Sequence, residues 1–227
     1  MSSKHKVHPK FTPSSPMSNL EKKPALRISP YVYGRTAVKN RVTYLIDSKG
    51  EGTKKGVPER VVLTRWRQRR FENHTFSGAK MSSTLWRAVH LAFGSDANNI
   101  CALSLAGIQA VKDESAKVLS ASGFLKLPSA SVLQALFAVC GPERLEVLLT
   151  KHTSKEHGGK SGVPDLFLYA TNNLTGKPSI ARFVEVKKPK EKVADDQKAE
   201  IALLNAMGLH ARVIRLIEKE HKLTAPP

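Results

Sequence analysis

Gly162-Val163-Pro164-Asp165-Leu166-Phe167-Leu168-Tyr169 and Ala181-Arg182-Phe183-Val184-Glu185-Val186-Lys187-Lys188 are two short runs of strand-forming residues, separated by turn-forming residues over 172–178. In an extended chain successive side chains alternate faces. Glu185 and Lys187 therefore share one side, while Val184 and Val186 face the opposite, apolar one. Asp165 opens the neighbouring run. Carboxylates on adjacent strands are hard oxygen donors suited to a divalent cation, and a lysine beside them can balance developing negative charge. The combination suits metal-assisted hydrolysis of a phosphodiester.

Downstream, a helix is predicted over 193–207, with Ile201, Leu204 and Met207 on its buried side and Gly208 as its stop. A last strand follows over 211–217. Strand, strand, helix, strand with a helix in front predicts a small α/β sheet covered on its faces. Upstream, helices are predicted over 142–153, where Gly141-Pro142 supplies a first-turn proline, and over 129–139, 105–122 and 83–93, the last capped by Ser82 or Ser83. A further helix is predicted over 59–70. Its polar side carries Arg60, Arg65, Arg67, Arg69 and Arg70, either as a solvated face or as contacts to a nucleic-acid backbone. Trp66 suits either the core or that contact.

Residues 1–30 are rich in Ser, Pro and Lys with little hydrophobic periodicity, and read as a disordered basic tail. Such a tail suits a nuclear address, a phosphate-binding arm or a mitochondrial presequence. The segment 49–56 lacks the residue order of a phosphate loop and reads as a flexible loop. Residues 151–161 read as a loop bearing Lys151, His152, Lys155, His157 and Lys160. The expected organisation is a tail over 1–30, a basic and helical region over 31–140, a core over 141–220 and a short tail over 221–227.

The 227-residue chain carries a formal charge of +18. Residues 1–80 hold 18 Lys and Arg against 5 Asp and Glu, a net of +13. A charge so concentrated points to a polyanionic partner. That partner is nucleic acid or an anionic membrane; no apolar stretch approaches the roughly 20 residues that cross a bilayer, so membrane insertion is not expected and nucleic acid is the partner assigned. Two cysteines, Cys101 and Cys140, and no secretory h-region imply an intracellular setting. The histidines lack zinc-ligand spacing.

Pro164-Asp165 followed by Glu185-Val186-Lys187 matches the P-D-(x)n-E-x-K pattern of the PD-(D/E)xK nuclease superfamily. The fuller context, Gly162-Val163-Pro164-Asp165-Leu166, then Val184-Glu185-Val186-Lys187-Lys188-Pro189, then Gln197 in a helix, closely resembles the VRR-NUC branch. From Gly141-Pro142 to Asp165 the chain is similar to the nuclease domain of Fanconi-associated nucleases. The resemblance is strong over 141–217 and faint over 57–140. It implies a restriction-endonuclease-like core: a small mixed sheet flanked by helices, with a helical region in front. It implies Mg²⁺ or Mn²⁺ held by Asp165, Glu185 and the backbone carbonyl of Val186. Lys187 would then orient the attacking water, and Gln197 would stand near the scissile phosphate or the lysine. Arg65, Arg67, Arg69, Arg70 and Lys188 are the candidate nucleic-acid contacts.

The expected activity is cleavage of DNA at flapped or branched structures, in repair, in the nucleus of a eukaryotic source or in a mitochondrion. One departure stands out. The family's upstream glutamate falls at Gly78 in an ungapped reading, and Glu72 replaces it only if the spacing has changed. That departure motivates a second reading, a nucleic-acid-binding protein that keeps the nuclease fold without turnover. A dimeric junction resolvase is a third. DNA against RNA, polarity of cleavage and oligomeric state are all left open by the sequence.

Overall fold

The computed structural model describes residues 28–33, 35–38, 41–45, 55–123, 127–154 and 162–218. In chain order these form β1 (Ile28–Tyr33), β2 (Arg35–Val38), β3 (Arg41–Leu45), β4 (Lys55–Gly56), α1 (Pro58–Arg67) and β5 (His74–Lys80). The helices α2 (Leu85–Phe93), α3 (Ala97–Ala102), α4 (Leu105–Ala121) and α5 (Ala130–Thr153) follow, then β6 (Leu166–Asn172), β7 (Pro178–Lys187), α6 (Asp195–Ala206) and β8 (Ala211–Glu218). Most of the tail expected over 1–30, the tail over 221–227 and the lysines and histidine over 155–160 lie outside the described residues.

Among the described residues β1, β8, β7, β6 and β5 form one mixed sheet in that order. β6 pairs antiparallel with both β5 and β7, whereas β8 runs parallel to β7 and β1. The parallel step from β7 to β8 needs a crossover, and α6 provides it. A smaller antiparallel sheet joins β2, β3 and β4.

Strand alternation splits the core in two. Phe167, Tyr169, Phe183, Ala211 and Val213 join the cluster built with α2 to α6, while Leu166, Leu168, Val184, Val186, Ile214 and Leu216 pack with Val61, Val62, Leu63 and Trp66 of α1. Each such fully buried side chain contributes roughly 1.5–3 kcal/mol. Both faces are therefore covered, which accounts for the nearly continuous apolar run of β6. Trp66 belongs to the core: it is buried and its indole N–H donates to the Tyr169 carbonyl at 3.0 Å.

The region 31–140, expected to be helical, also contributes strands. β5 is the clearest case, pairing along its whole length from His74 opposite Asn172 to Lys80 opposite Leu166. Its small and polar residues, His-Thr-Phe-Ser-Gly-Ala-Lys, show no apolar alternation because it is an edge strand with mostly half-buried positions. β1 begins at Ile28, inside the stretch read as a tail, and Lys55 and Gly56, read as loop, pair with β3. α1 ends at Arg67, so Arg69 and Arg70 lie past its last turn. The helices expected over 129–139 and 142–153 form one element, α5, broken at Gly141, whose φ of 66° ends the first half before Pro142 starts the second. Lys151 and His152, read as loop, are in its last turn.

Candidate active site

The antiparallel register that sets Leu166 opposite Val184 places Asp165 opposite Glu185 one step further on. Directly opposite positions bring Cβ atoms to about 5 Å. Asp165 Oδ2 accepts from the Val186 backbone N–H at 2.8 Å, which ties the start of β6 to the end of β7. Glu185 and Lys187 leave β7 on the same side and are both buried, at 2% and 5% exposure. Their charges meet: Lys187 Nζ lies 3.0 Å from Glu185 Oε1 and 3.3 Å from Glu191 Oε1.

Burial pushes the Glu185 carboxyl up to about 7, and the facing Asp165 adds to the rise against the pull of Lys187. Asp165 is also raised, by burial first, then by the charge of Glu59 against the Val186 N–H and Lys187. Burial disfavours the Lys187 ammonium, but Glu185 and Glu191 outweigh it and leave its pKa above the ordinary value. Glu191 is held below its usual range: its own desolvation is outweighed by the Lys188 N–H and by Lys187. Sequence reasoning missed Glu191. The spacing of four from Lys187 was its only signal.

Gln197 lies in the first turn of α6. Its Nε2 donates to Glu185 Oε1 at 2.6 Å, and its Oε1 accepts from the Ala194 N–H at 3.0 Å, capping α6. One side chain thus fixes both the helix start and the glutamate. α6 is held from below by Glu200, one turn on and 1% exposed. Its two oxygens take Lys151 Nζ at 2.5 Å and His152 Nε2 at 3.0 Å from α5. Glu200 is consequently held below the usual carboxylate range, since His152 and Lys151 outweigh its burial. Gly162 closes the arrangement on the strand side. It has φ of 58°, and a Cβ there would come within 2.5 Å of the Asp196 carbonyl, so only glycine lets this loop lie against α6.

An acid outside the motif, Glu59, lies in the first turn of α1. Its charge acts on Asp165, and its Oε2, buried without a hydrogen bond, is 3.7 Å from Lys80 Nζ. Gly78 and Glu72, the two positions read for the family's upstream acid, lie elsewhere in the fold. Gly78 faces Leu168 within the sheet, and a Cβ there would meet the Phe167 carbonyl at 2.6 Å. No glutamate fits at that position. Glu72 is exposed before the start of β5, eight residues from Lys80, a span of roughly 25 Å along an extended chain. No motif marks Glu59, which lies far upstream of Asp165 and whose charge is felt there only because α1 packs on the sheet.

Asp165, Glu185 and Glu59 offer hard oxygen donors of the kind Mg²⁺ and Mn²⁺ take, and Glu59 Oε2 is buried with only a long ion pair to Lys80 and no hydrogen bond. Among the described residues no group of three or more His, Cys, Asp or Glu side chains is already gathered as a cage. Glu185 is engaged by Lys187 and Gln197 instead. The donor set fits a divalent ion provided that Lys187 yields some of its hold.

Of the arginines, Arg67 donates to the Gly78 carbonyl at 2.6 Å and so ties α1 to β5. Arg69 lies over the Trp66 ring at 4.8 Å, and Arg70 donates to the Arg67 and Arg69 carbonyls. Arg65 is half-buried within α1, while Lys188 is exposed immediately after β7.

Residues 122–216 match the family model of the VRR-NUC domain, beginning upstream of the stretch whose motifs carry the resemblance. A search of the curated proteins gives no match. Among solved structures the chain is similar to paFAN1 bound to 2-nt 5′-flap DNA with a gap, at 13% identity and a TM-score of 0.50, over 88% of this chain and 39% of that one. It is similar also to paFAN1 bound to 1-nt 5′-flap DNA with a gap, at 14% identity and a TM-score of 0.50, over 87% and 39%. At these identities the likeness is one of fold. The chain spans about two fifths of the paFAN1 chains it resembles.

Proposed function

We infer, from the VRR-NUC domain that residues 122–216 carry, that this chain is a divalent-metal-dependent nuclease hydrolysing phosphodiester bonds in DNA. The single observation that carries the reading is the meeting of Asp165, Glu185 and Lys187 at one end of the sheet, with Gln197 bonded to Glu185. Flapped or branched DNA is the preferred substrate and repair the setting. The support is the fold shared with paFAN1, which is bound to 5′-flap DNA.

Asp165, Glu185, Glu59 and the Val186 carbonyl would hold Mg²⁺ or Mn²⁺. When bound, such an ion lowers the pKa of a water and polarises a phosphoryl oxygen. The protein's own groups do the rest. Lys187, buried and cationic, stabilises negative charge as it builds on the phosphorus oxygens, and in a water-poor site that stabilisation is large. Gln197 holds the Glu185 carboxylate in one orientation. Glu191 keeps Lys187 charged and extended from β7. The basic surface supplies phosphate contacts that release counterions, so binding weakens with salt.

The experiment is cleavage of 5′-flap, junction, single-stranded and duplex DNA with Mg²⁺ or Mn²⁺, by the wild type and by Asp165→Ala and Lys187→Ala. Metal-dependent cutting lost in both variants supports the reading, and equal cutting by all three rejects it. The observation that favoured a binding-only protein was Gly78. Gly78 sits in the β5–β6 ladder, and binding retained in chelator with no cutting at any metal concentration would favour that second reading.

A further inference from the structure

On the other side of the sheet, past the C-terminal end of α1, lies a half-open concavity of about 350 Å³. Its floor is Trp66, Phe76 and Ile180, and its rim carries Arg69, Arg70, Arg182 and Arg212 with Phe71. None of these lining side chains is acidic. The floor is rigid: Trp66 is hydrogen-bonded to β6, and Phe76 packs edge-on against it at 5.0 Å. Phe71 is unlike the floor. It is 63% exposed, touches His74 at 5.1 Å, and leaves most of one ring to solvent.

A large exposed ring costs apolar contact with water, and beyond His74 no ring contact within the fold offsets it among the described residues. Set beside guanidinium groups it matches what a single-stranded nucleic acid requires, namely cations for the backbone and a flat ring for a base to stack on. The volume lies at the low end for ligand pockets, which run from about 300 to 1,000 Å³. A splayed nucleotide fits there, whereas a duplex, with its bases paired inward, reaches only the rim. The concavity is also separate from the carboxylates. Arg182 precedes Glu185 by three residues on β7 and faces the opposite side of the sheet, about 10 Å away along the strand.

We propose that this concavity is a nucleotide-binding site for the single-stranded part of the substrate, in which Phe71 stacks on a base while Arg69 and Arg70 hold the adjoining phosphates. The proposal rests on the nuclease reading for the identity of the polymer, but not for the chemistry of the pocket. It makes Phe71 a determinant of affinity for unpaired bases and leaves the cleavage machinery on the α6 side untouched.

The test is fluorescence anisotropy with the full chain in chelator, so that binding is read without cutting. The probes are labelled oligothymidylate, an abasic oligomer of the same length, and blunt duplex. Phe71→Ala should weaken oligothymidylate by about 5- to 150-fold, the equivalent of one lost base stack, and leave the abasic oligomer unchanged. Phe71→Trp should restore binding. Arg70→Ala should weaken both oligomers alike and lower the salt slope by about one. If Phe71→Ala shifts the two oligomers equally, or neither, the stacking site is rejected. If Phe71→Trp fails to restore a loss seen in Phe71→Ala, the loss came from the fold and the proposal also falls. Stronger binding to phosphatidylserine vesicles than to any oligomer would reassign the patch to a membrane surface and overturn it. Cleavage in Mn²⁺ is scored separately: base-dependent binding without cutting keeps the pocket and sinks the nuclease reading, and cutting by a protein whose binding shows no dependence on Phe71 or on the base does the reverse.

Discussion

Glu185→Gln in metal-free protein should make the chain more stable at pH 8 than the wild type, even though it deletes a partner of Lys187. The Glu185 carboxyl ordinarily titrates at 4.5 and is pushed up to about 7 by burial and by the facing Asp165. A folded-state pKa above the unfolded value means that the native protein holds this proton more tightly. The stability it contributes is complete below pH 4.5 and is lost as pH rises through 7. Ionising it in the folded chain therefore costs about 3 kcal/mol relative to the unfolded one. Gln copies the protonated shape and still offers an oxygen to Gln197 and Lys187, so it avoids that cost. The gap in unfolding free energy between variant and wild type should widen by about 2.5 kcal/mol between pH 5 and pH 8. For a domain of this size that is a relative change in Tm of about 5–10 °C. Urea denaturation in chelator at both pH values measures it, and the comparison cancels every other titrating group. Mn²⁺ at about 1,000 times its Kd should then reverse the order, because the wild type gains about 4.1 kcal/mol and the variant gains little. A gap that does not change with pH in chelator would refute the reasoning.

Glu59→Ala should weaken Mn²⁺ binding at least tenfold by calorimetry and reduce cleavage by more, while stability in chelator holds or rises because Asp165 loses a like-charged neighbour; unchanged metal affinity would remove Glu59 from the site. Glu200→Ala leaves Lys151 and His152 without their buried carboxylate and should cost about 3–5 kcal/mol in urea denaturation, with a loss of cleavage beyond that expected from the unfolded fraction, because α6 carries Gln197. Lowering the pH should weaken the same wild-type contact, since a depressed carboxyl contributes stability above its unfolded pKa that is lost as pH falls through the folded value. Gly162→Ala combines a positive φ with a Cβ 2.5 Å from the Asp196 carbonyl, and should cost about 1–3 kcal/mol and disturb the register of Asp165, measured as a fall in kcat for flap cleavage.

The parts of the fold legible in the chain are those whose signals are local. β6 and β7 announce themselves by apolar runs on either side of a turn, α6 by its spacing and Gly208, and the break in α5 by Gly141-Pro142. Asp165, Glu185 and Lys187 were legible because two adjacent strands place them within a short stretch of sequence. β5 was not, because an edge strand need not alternate, and its pairing with β6 joins residues nearly a hundred positions apart. Glu59 was hidden for the same reason. Its approach to Asp165 is set by how Val61, Val62, Leu63 and Trp66 seat α1 on the sheet, and no spacing within the sequence encodes that docking. Gly78, where an ungapped reading puts the family's upstream acid, is committed to the ladder with β6, and Glu72 is exposed just before that strand.

The most direct measurement is the initial rate of cutting of a labelled 5′-flap DNA as Mn²⁺ is titrated, for the wild type beside Asp165→Ala and Lys187→Ala, with folding of each confirmed by thermal denaturation. The account predicts saturable, metal-dependent cleavage by the wild type and loss of at least about a hundredfold in each variant, the scale of removing a group that stabilises charge in the transition state. Folded variants that cut as fast as the wild type, or a wild type inert at every metal concentration on every DNA form, would contradict it.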